Sequence, residues 1–226
     1  MARGTETRDR ILDSAAALVM EHGFGSTSVD AVLEASGTSK GAFFHHFPSK
    51  VDLGRALVER YAADDSETLQ ALVAEAEAAS DDPVEQLLTM VRTYEREAGA
   101  LSEVQPGCLF VSFIYEADLV GPQTEHIVAD SILEWRSTFL DKLEKAAAVR
   151  PALAAVDLPS LADQAFAAFE GGFLLTRALR DPAILRQQLG HFRHYVEVLV
   201  GAGGDGQANP GRDARSSRTP ALSANP

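Results

Sequence analysis

A chain of 226 residues carries 33 Asp and Glu against 20 Lys and Arg, a formal net charge of -13, and a single cysteine, Cys108. That length allows one sizeable core or a small domain joined to a larger one, and a lone cysteine excludes an intrachain disulfide framework and a cysteine-rich zinc site. No apolar run approaches the roughly 20 residues of a membrane span, and "MARGTETRDR" lacks the apolar stretch of a signal peptide, so a cytoplasmic protein with no membrane partner is expected.

The first helix is expected over 8–24, where Ile11, Ala15, Leu18 and Val19 recur at helical spacing and Gly23 follows as a stop. Thr27 or Ser28 offers an N-cap oxygen for a short second helix, with Asp30 near its free amides, an apolar face of Val29, Val32 and Leu33, and an end at Gly37. Thr38 or Ser39 caps a third helix, "KGAFFHHF", which lasts two turns before Pro48 stops it. Two short helices across a tight Gly turn form the helix-turn-helix pattern. Ser49 caps a long helix through Val51, Leu53, Leu57 and Tyr61 that continues to about Ala79. Further helices are expected near 83–99, 108–118, 123–149, 160–180 and 183–200, bounded by prolines and Gly-Pro or Asp-Pro pairs, and no convincing alternating strand is found. The fold class expected is therefore all-α, with a helix-turn-helix domain at 1–50, a helical domain at 51–200 and a Gly/Pro/Ser-rich disordered tail at 201–226.

Two late stripes have coiled-coil spacing: Leu161, Ala165, Ala168, Gly172 and Leu175, then Leu185, Leu189, Phe192, Val196 and Leu199. They are read as a homodimer interface, the alternative being that both face the chain's own core.

Charge is distributed unevenly. Residues 1–60 sum to -1, residues 61–91 hold eight acids and no Lys or Arg, and residues 35–51 hold no acid at all. In a helix-turn-helix the second helix enters the major groove of DNA, where carboxylates would repel the phosphates. The acid-free window supplies Lys40, Lys50, helix N-terminal amides and, when protonated, His45 and His46, while Gly41 and Ala42 let the backbone approach closely. The same residues are also compatible with an ordinary solvated face. Adjacent His45 and His46 point about 100° apart on a helix and do not chelate together, and Phe43 and Phe47 are read as the face that seats the third helix.

At "TRDRILDSAAALVMEHGFGSTSVDAVLEASGTSKGAFFHHFPSKVDL" the sequence resembles the N-terminal DNA-binding domain of the TetR family of bacterial regulators. The likeness is carried by Gly23-Phe24, Thr27-Ser28, the turn Ala35 to Ser39, Phe43 to Phe47, and Ser49-Lys50 followed by Asp52-Leu53. It implies a homodimer that binds a palindromic double-stranded operator, with a ligand-responsive helical C-terminal domain. It further implies that Thr27 or Ser28 contacts phosphate, that Ser39, Lys40 and Gly41 face bases or nearby backbone, that His45 and His46 lie at the groove edge, and that Lys50 meets a phosphate. Phe44, also a DNA-binding candidate by the resemblance, stands where the family commonly has a tyrosine whose hydroxyl reaches phosphate; that hydroxyl is missing here, so its contact must come from elsewhere or be absent.

"QPGCLFVSFIYEADLVGP" more distantly resembles the Gly-Cys-Leu subgroup of such repressors, some of which respond to electrophiles or small unsaturated compounds. Cys108 near a helix start would gain thiolate character from the dipole, although buried free cysteine is most often an inert hydrophobe. A pocket for a small-molecule inducer could use Tyr115, Trp135, Phe139, Phe169, Phe173 and Arg177 besides Cys108. No phosphate loop, catalytic triad motif, HExxH or metal-spaced carboxylate set is found, so neither enzyme activity nor a cofactor is expected. His191 and His194 read as polar decoration of an interface. A helical scaffold that binds another protein is the remaining alternative, and it leaves the acid-free window unexplained.

Overall fold

The computed structural model describes residues 2–100 and 108–201; the expected tail and the "QPG" boundary at 105–107 lie outside the described residues. The described chain is helical throughout, as expected. In order the helices are α1 (Ala2–His22), α2 (Val29–Ser36), α3 (Lys40–His46), α4 (Lys50–Ala79), α5 (Pro83–Ala100), α6 (Leu109–Tyr115), α7 (Pro122–Val149), α8 (Pro151–Ala154), α9 (Leu158–Leu179) and α10 (Ala183–Gly201). One 3-10 turn, Ala117–Leu119, joins α6 to α7. Among the described residues no helix is long and apolar enough to cross a membrane.

The caps decide where the first helices start. Between the two candidates at each position the serines take the role: Ser28 Oγ accepts from Ala31 N at 3.1 Å and Ser39 Oγ from Ala42 N at 3.2 Å. Ser49 Oγ does the same for Asp52 N at 3.1 Å and starts α4 where expected. Gly37 ends α2 with φ 63°, a left-handed conformation that glycine adopts without a Cβ penalty. The short α8 had no sequence expectation, because its four residues are too few to show a period.

Two large apolar cores follow, with a small third cluster at Ala98, Leu185 and Leu189. The first joins Ile11, Leu12, Ala15 and Val19 of α1, Val32 of α2, and Phe43 and Phe47 at α3 to the first three turns of α4. It also takes in Leu109, Phe110 and Phe113 of α6, so it extends past residue 50. The second core is built from α4, α5, α7, α9 and α10 around Leu72, Leu87, Leu143 and Val196. Val51, expected on the buried stripe of α4, is 47% exposed, because α4 turns Leu53, Leu57 and Val58 inward instead.

Within the first core, α4 meets the turn after α1 closely at Gly54. A Cβ built there would lie 2.8 Å from Phe24 ring atoms, and that ring is held from another side by Phe113, 5.3 Å between centroids. Gly54→Ala is expected to cost about 1–2 kcal/mol, overpacking outweighing the gain in helix propensity. A urea midpoint at or above that of the unaltered chain would contradict this.

Apart from Leu175, the coiled-coil stripes face the chain's own core. Leu161, Gly172, Leu185, Leu189, Phe192 and Val196 are buried within the single chain, and Ala165 is half-buried beside the cavity described below. The reason is that α10 packs on α5 as well as α9, so its most apolar side is already covered. The unpartnered apolar side chains on these helices are Leu174, Leu175, Leu179, Tyr195 and Val198.

Candidate DNA-reading unit and effector cavity

The helix-turn-helix expectation has its geometry in α2, Gly37 to Ser39 and α3. Phe43 is fully buried and Phe47 2% exposed, which seats α3 and leaves Lys40, Gly41, Phe44 and His45 outward, with His46 half-buried at the helix end. Ser28 and Ser39 are exposed, each with its hydroxyl oxygen committed to its cap. Thr27 is different: it is 4% exposed and its hydroxyl donates to the Gly23 carbonyl at 2.8 Å, so it locks the turn after α1 and does not present itself outward.

Lys50 also turns inward in part. Its Nζ donates to the Gly25 carbonyl at 3.1 Å and lies 4.6 Å above the Phe24 ring, and burial pulls its pKa down from the usual lysine value. It braces the turn between α1 and α2 at the rim of the reading surface. Sequence reasoning passed over Arg8, whose guanidinium lies 5.5 Å over Phe47 and brings another cation to the same rim.

A cavity of about 210 Å³ opens in the second half of the molecule between α4, α5, α7, α9 and α10. Five of the seven expected ligand residues line it: Cys108, Trp135, Phe139, Phe169 and Phe173. Tyr115 does not; it is 85% exposed at the far end of α6. Arg177 does not either. It lies one turn beyond Phe173 and donates to the carbonyls of Met20 at 3.0 Å and Glu21 at 2.8 Å, holding the C-terminal end of α1.

Six polar or charged lining residues were missed: Tyr61, Asp65, Tyr94, Arg136, Asp163 and Glu170. A signal existed. Leu57, Tyr61, Asp65, Leu69, Leu72 and Ala76 form one helical stripe, and Glu170 lies within Phe166, Phe169 and Phe173, so each acid occupies a position that its apolar neighbours turn inward. The Trp135 indole donates to Asp65 Oδ2 at 2.6 Å.

Of the two readings of Cys108, burial supports the inert one. The residue is the N-cap of α6, but burial and the neighbouring Glu170 carboxyl push its thiol up to about 12, far from the thiolate range. Desolvation outweighs the dipole of a helix only seven residues long.

α6 runs from this cavity to the reading unit. Cys108 and Phe110 touch the cavity, Phe113 enters the first core, and Glu116 at the end of α6 accepts from the amides of Phe24 at 2.5 Å and Gly25 at 3.0 Å. Together with Arg177, it gives the cavity helices two separate holds on the ends of the α1–α2 turn.

Residues 11–57 match the family model of bacterial regulatory proteins, tetR family, and residues 83–192 match the tetracyclin repressor-like C-terminal domain. The transcriptional regulator AcuR of Cereibacter sphaeroides is 27% identical over 177 residues, 78% of this chain and 79% of that protein. The HTH-type transcriptional repressor AcnR of Corynebacterium glutamicum is 42% identical over 59 residues, 26% of this chain and 31% of that one. Among solved structures, a TetR transcriptional regulator from Chloroflexus aurantiacus J-10-FL superposes with a TM-score of 0.70 at 28% identity, covering 87% of this chain and 96% of its own.

Proposed function

Since this chain belongs to the TetR family of bacterial transcriptional regulators, we propose that it is a repressor that binds a palindromic operator as a homodimer and lets go when a small molecule fills the cavity. The observation that carries the reading is the continuity from cavity to reading unit, through α6 to Glu116 and through α9 to Arg177. A ligand releases DNA only by favouring an arrangement in which the two reading helices no longer fit successive major grooves. α6 and α9 both touch the cavity and both end on the turn that positions α2, so filling the cavity acts on that turn directly.

The exposed apolar face of Leu174, Leu175, Leu179, Tyr195 and Val198 supports pairing with a second copy through α9 and α10. This face replaces the buried stripes as the candidate interface. Non-covalent occupancy is favoured over modification of Cys108, because a thiol held protonated and buried is a poor nucleophile.

Footprinting of the intergenic region upstream of the gene, with the full chain, tests the reading: protection of a palindrome is expected. Lys40→Ala should weaken that binding roughly tenfold and reduce the salt slope by about one, as loss of one phosphate-facing cation does. No protected palindrome, or an unchanged salt slope, would overturn the assignment of α3 as the reading helix.

A further inference from the structure

The cavity wall is mostly apolar and aromatic, yet three acidic residues line it, Asp65 from α4 and Asp163 and Glu170 from α9. Asp163 is paired with Arg136, whereas among the described residues Asp65 and Glu170 have no ion-pair partner. Asp65 receives only the Trp135 indole, Glu170 has the Cys108 thiol beside it, and Glu170 also feels the Asp65 charge. The one basic residue on the wall, Arg136, is held by Asp163, with the second of its two contacts at 3.2 Å, and so is already neutralised. The Tyr94 ring is stacked between Trp135 and Phe169, and its hydroxyl, deep in the site, has no hydrogen-bond partner among the described residues. α10 contributes Leu189 and Phe192 and no charge.

An acid in an apolar cavity without a counter-ion destabilises the fold, and burial accordingly raises the pKa of both carboxyls. A cation removes that penalty, and aromatic faces around it add attraction of their own. An anion would find two carboxyls and no unpaired base. The space, about 210 Å³, is below the roughly 300–1,000 Å³ of drug-sized sites, which calls for a compact molecule.

We propose that the cavity takes a compact lipophilic amine in its protonated form, with the ammonium between Asp65 and Glu170 and the apolar body against Trp135, Phe169 and Phe173. The identity of the ligand class rests on the cavity being the effector site, but its binding is measured without DNA. Trp135 is the chain's only tryptophan and lies in the wall, so its fluorescence reports occupancy.

The full chain is titrated with benzyltrimethylammonium, 3-phenylpropionate and 3-phenyl-1-propanol. The ammonium should bind tightest. Its affinity should rise with pH as the two carboxyls ionise, and a permanent cation rules out titration of the ligand as the cause. In the free protein the raised carboxyl pKa values mean that folding takes up protons, so stability should fall as pH rises above the ordinary carboxyl range near 4; saturating ammonium should cancel that fall.

Asp65→Asn and Glu170→Gln should each weaken ammonium binding about tenfold and flatten its pH dependence, while raising the thermal midpoint of the free protein. Propionate binding as tightly as the ammonium, or both variants binding it undiminished, overturns the inference. Ammonium binding that leaves a protected operator in place counts against the regulator reading and leaves this one standing.

Discussion

The double variant Glu116→Ala, Arg177→Ala is expected to keep its operator and its cavity ligand but lose the connection between them. In the unaltered chain, ligand should weaken operator binding by about 10- to 100-fold, the ordinary range of coupling between sites; in the variant the effect should fall to about twofold. The argument is geometric. The Glu116 carboxylate accepts two amides of the α1–α2 turn, and the Arg177 guanidinium holds two carbonyls at the end of α1. Each comes from a helix that also lines the cavity, and neither side chain touches the cavity itself. Phe24, at the same turn, packs against Phe113 of α6, so single variants should retain part of the response and the double variant should lose most. Gel-shift titrations with and without ligand, alongside Trp135 fluorescence, separate coupling from binding. Full ligand response in the double variant would place the transmission elsewhere, with α4 and α7 the next candidates because both run through the two cores.

The reading unit was legible because its signals are local. Ser28, Ser39 and Ser49 cap helices that start immediately after them, Gly37 takes the left-handed turn, and Phe43 and Phe47 one turn apart seat α3. Local signals also misled. Thr27 and Ser28 are equivalent as cap candidates in sequence, yet only the folded turn shows that Thr27 is spent on Gly23. A heptad-like stripe on α10 says that one face is buried and is silent about what buries it, since α5 (Pro83–Ala100) lies far from Phe192 and Val196 in the chain.

The cavity was half legible for a related reason. Aromatic residues at helical spacing on α7 and α9 pointed inward and do meet. The acids were passed over: residues 61–91 carry eight of them, and only its position on the same stripe as Leu57 and Leu69 sets Asp65 apart. Arg177 was named with the pocket residues, but a helix continues past its pocket, and the one turn beyond Phe173 is enough to move a side chain from the ligand to the neighbouring domain.

Lys142→Ala should be among the most destabilising single changes in the chain, by about 2–4 kcal/mol. Lys142 is 2% exposed on α7, and its Nζ donates to Glu77 of α4 at 2.6 Å and Gln86 of α5 at 3.0 Å, so one side chain ties three helices of the second core. Two contributions are mixed in that number: the packing of a four-carbon stem, and the pairing of an ammonium. Lys142→Met separates them, since it keeps the stem and removes the charge, and Glu77 is exposed enough to return to water without penalty. Most of the lost stability should therefore come back in the methionine variant.

The charge leaves its own mark on the pH profile. Hydrogen bonding to Lys142 and its charge hold the Glu77 carboxyl below the usual glutamate value, so the pair stabilises the fold above about pH 4.5 and is lost as pH falls through the lowered pKa. Urea midpoints measured from neutral to acid pH should show that loss in the unaltered chain and a flatter profile in Lys142→Met. Equal midpoints for alanine and the unaltered chain at neutral pH would mean that the three helices hold together without this side chain, and the packing of Leu87, Leu143 and Val196 alone would then have to account for the second core.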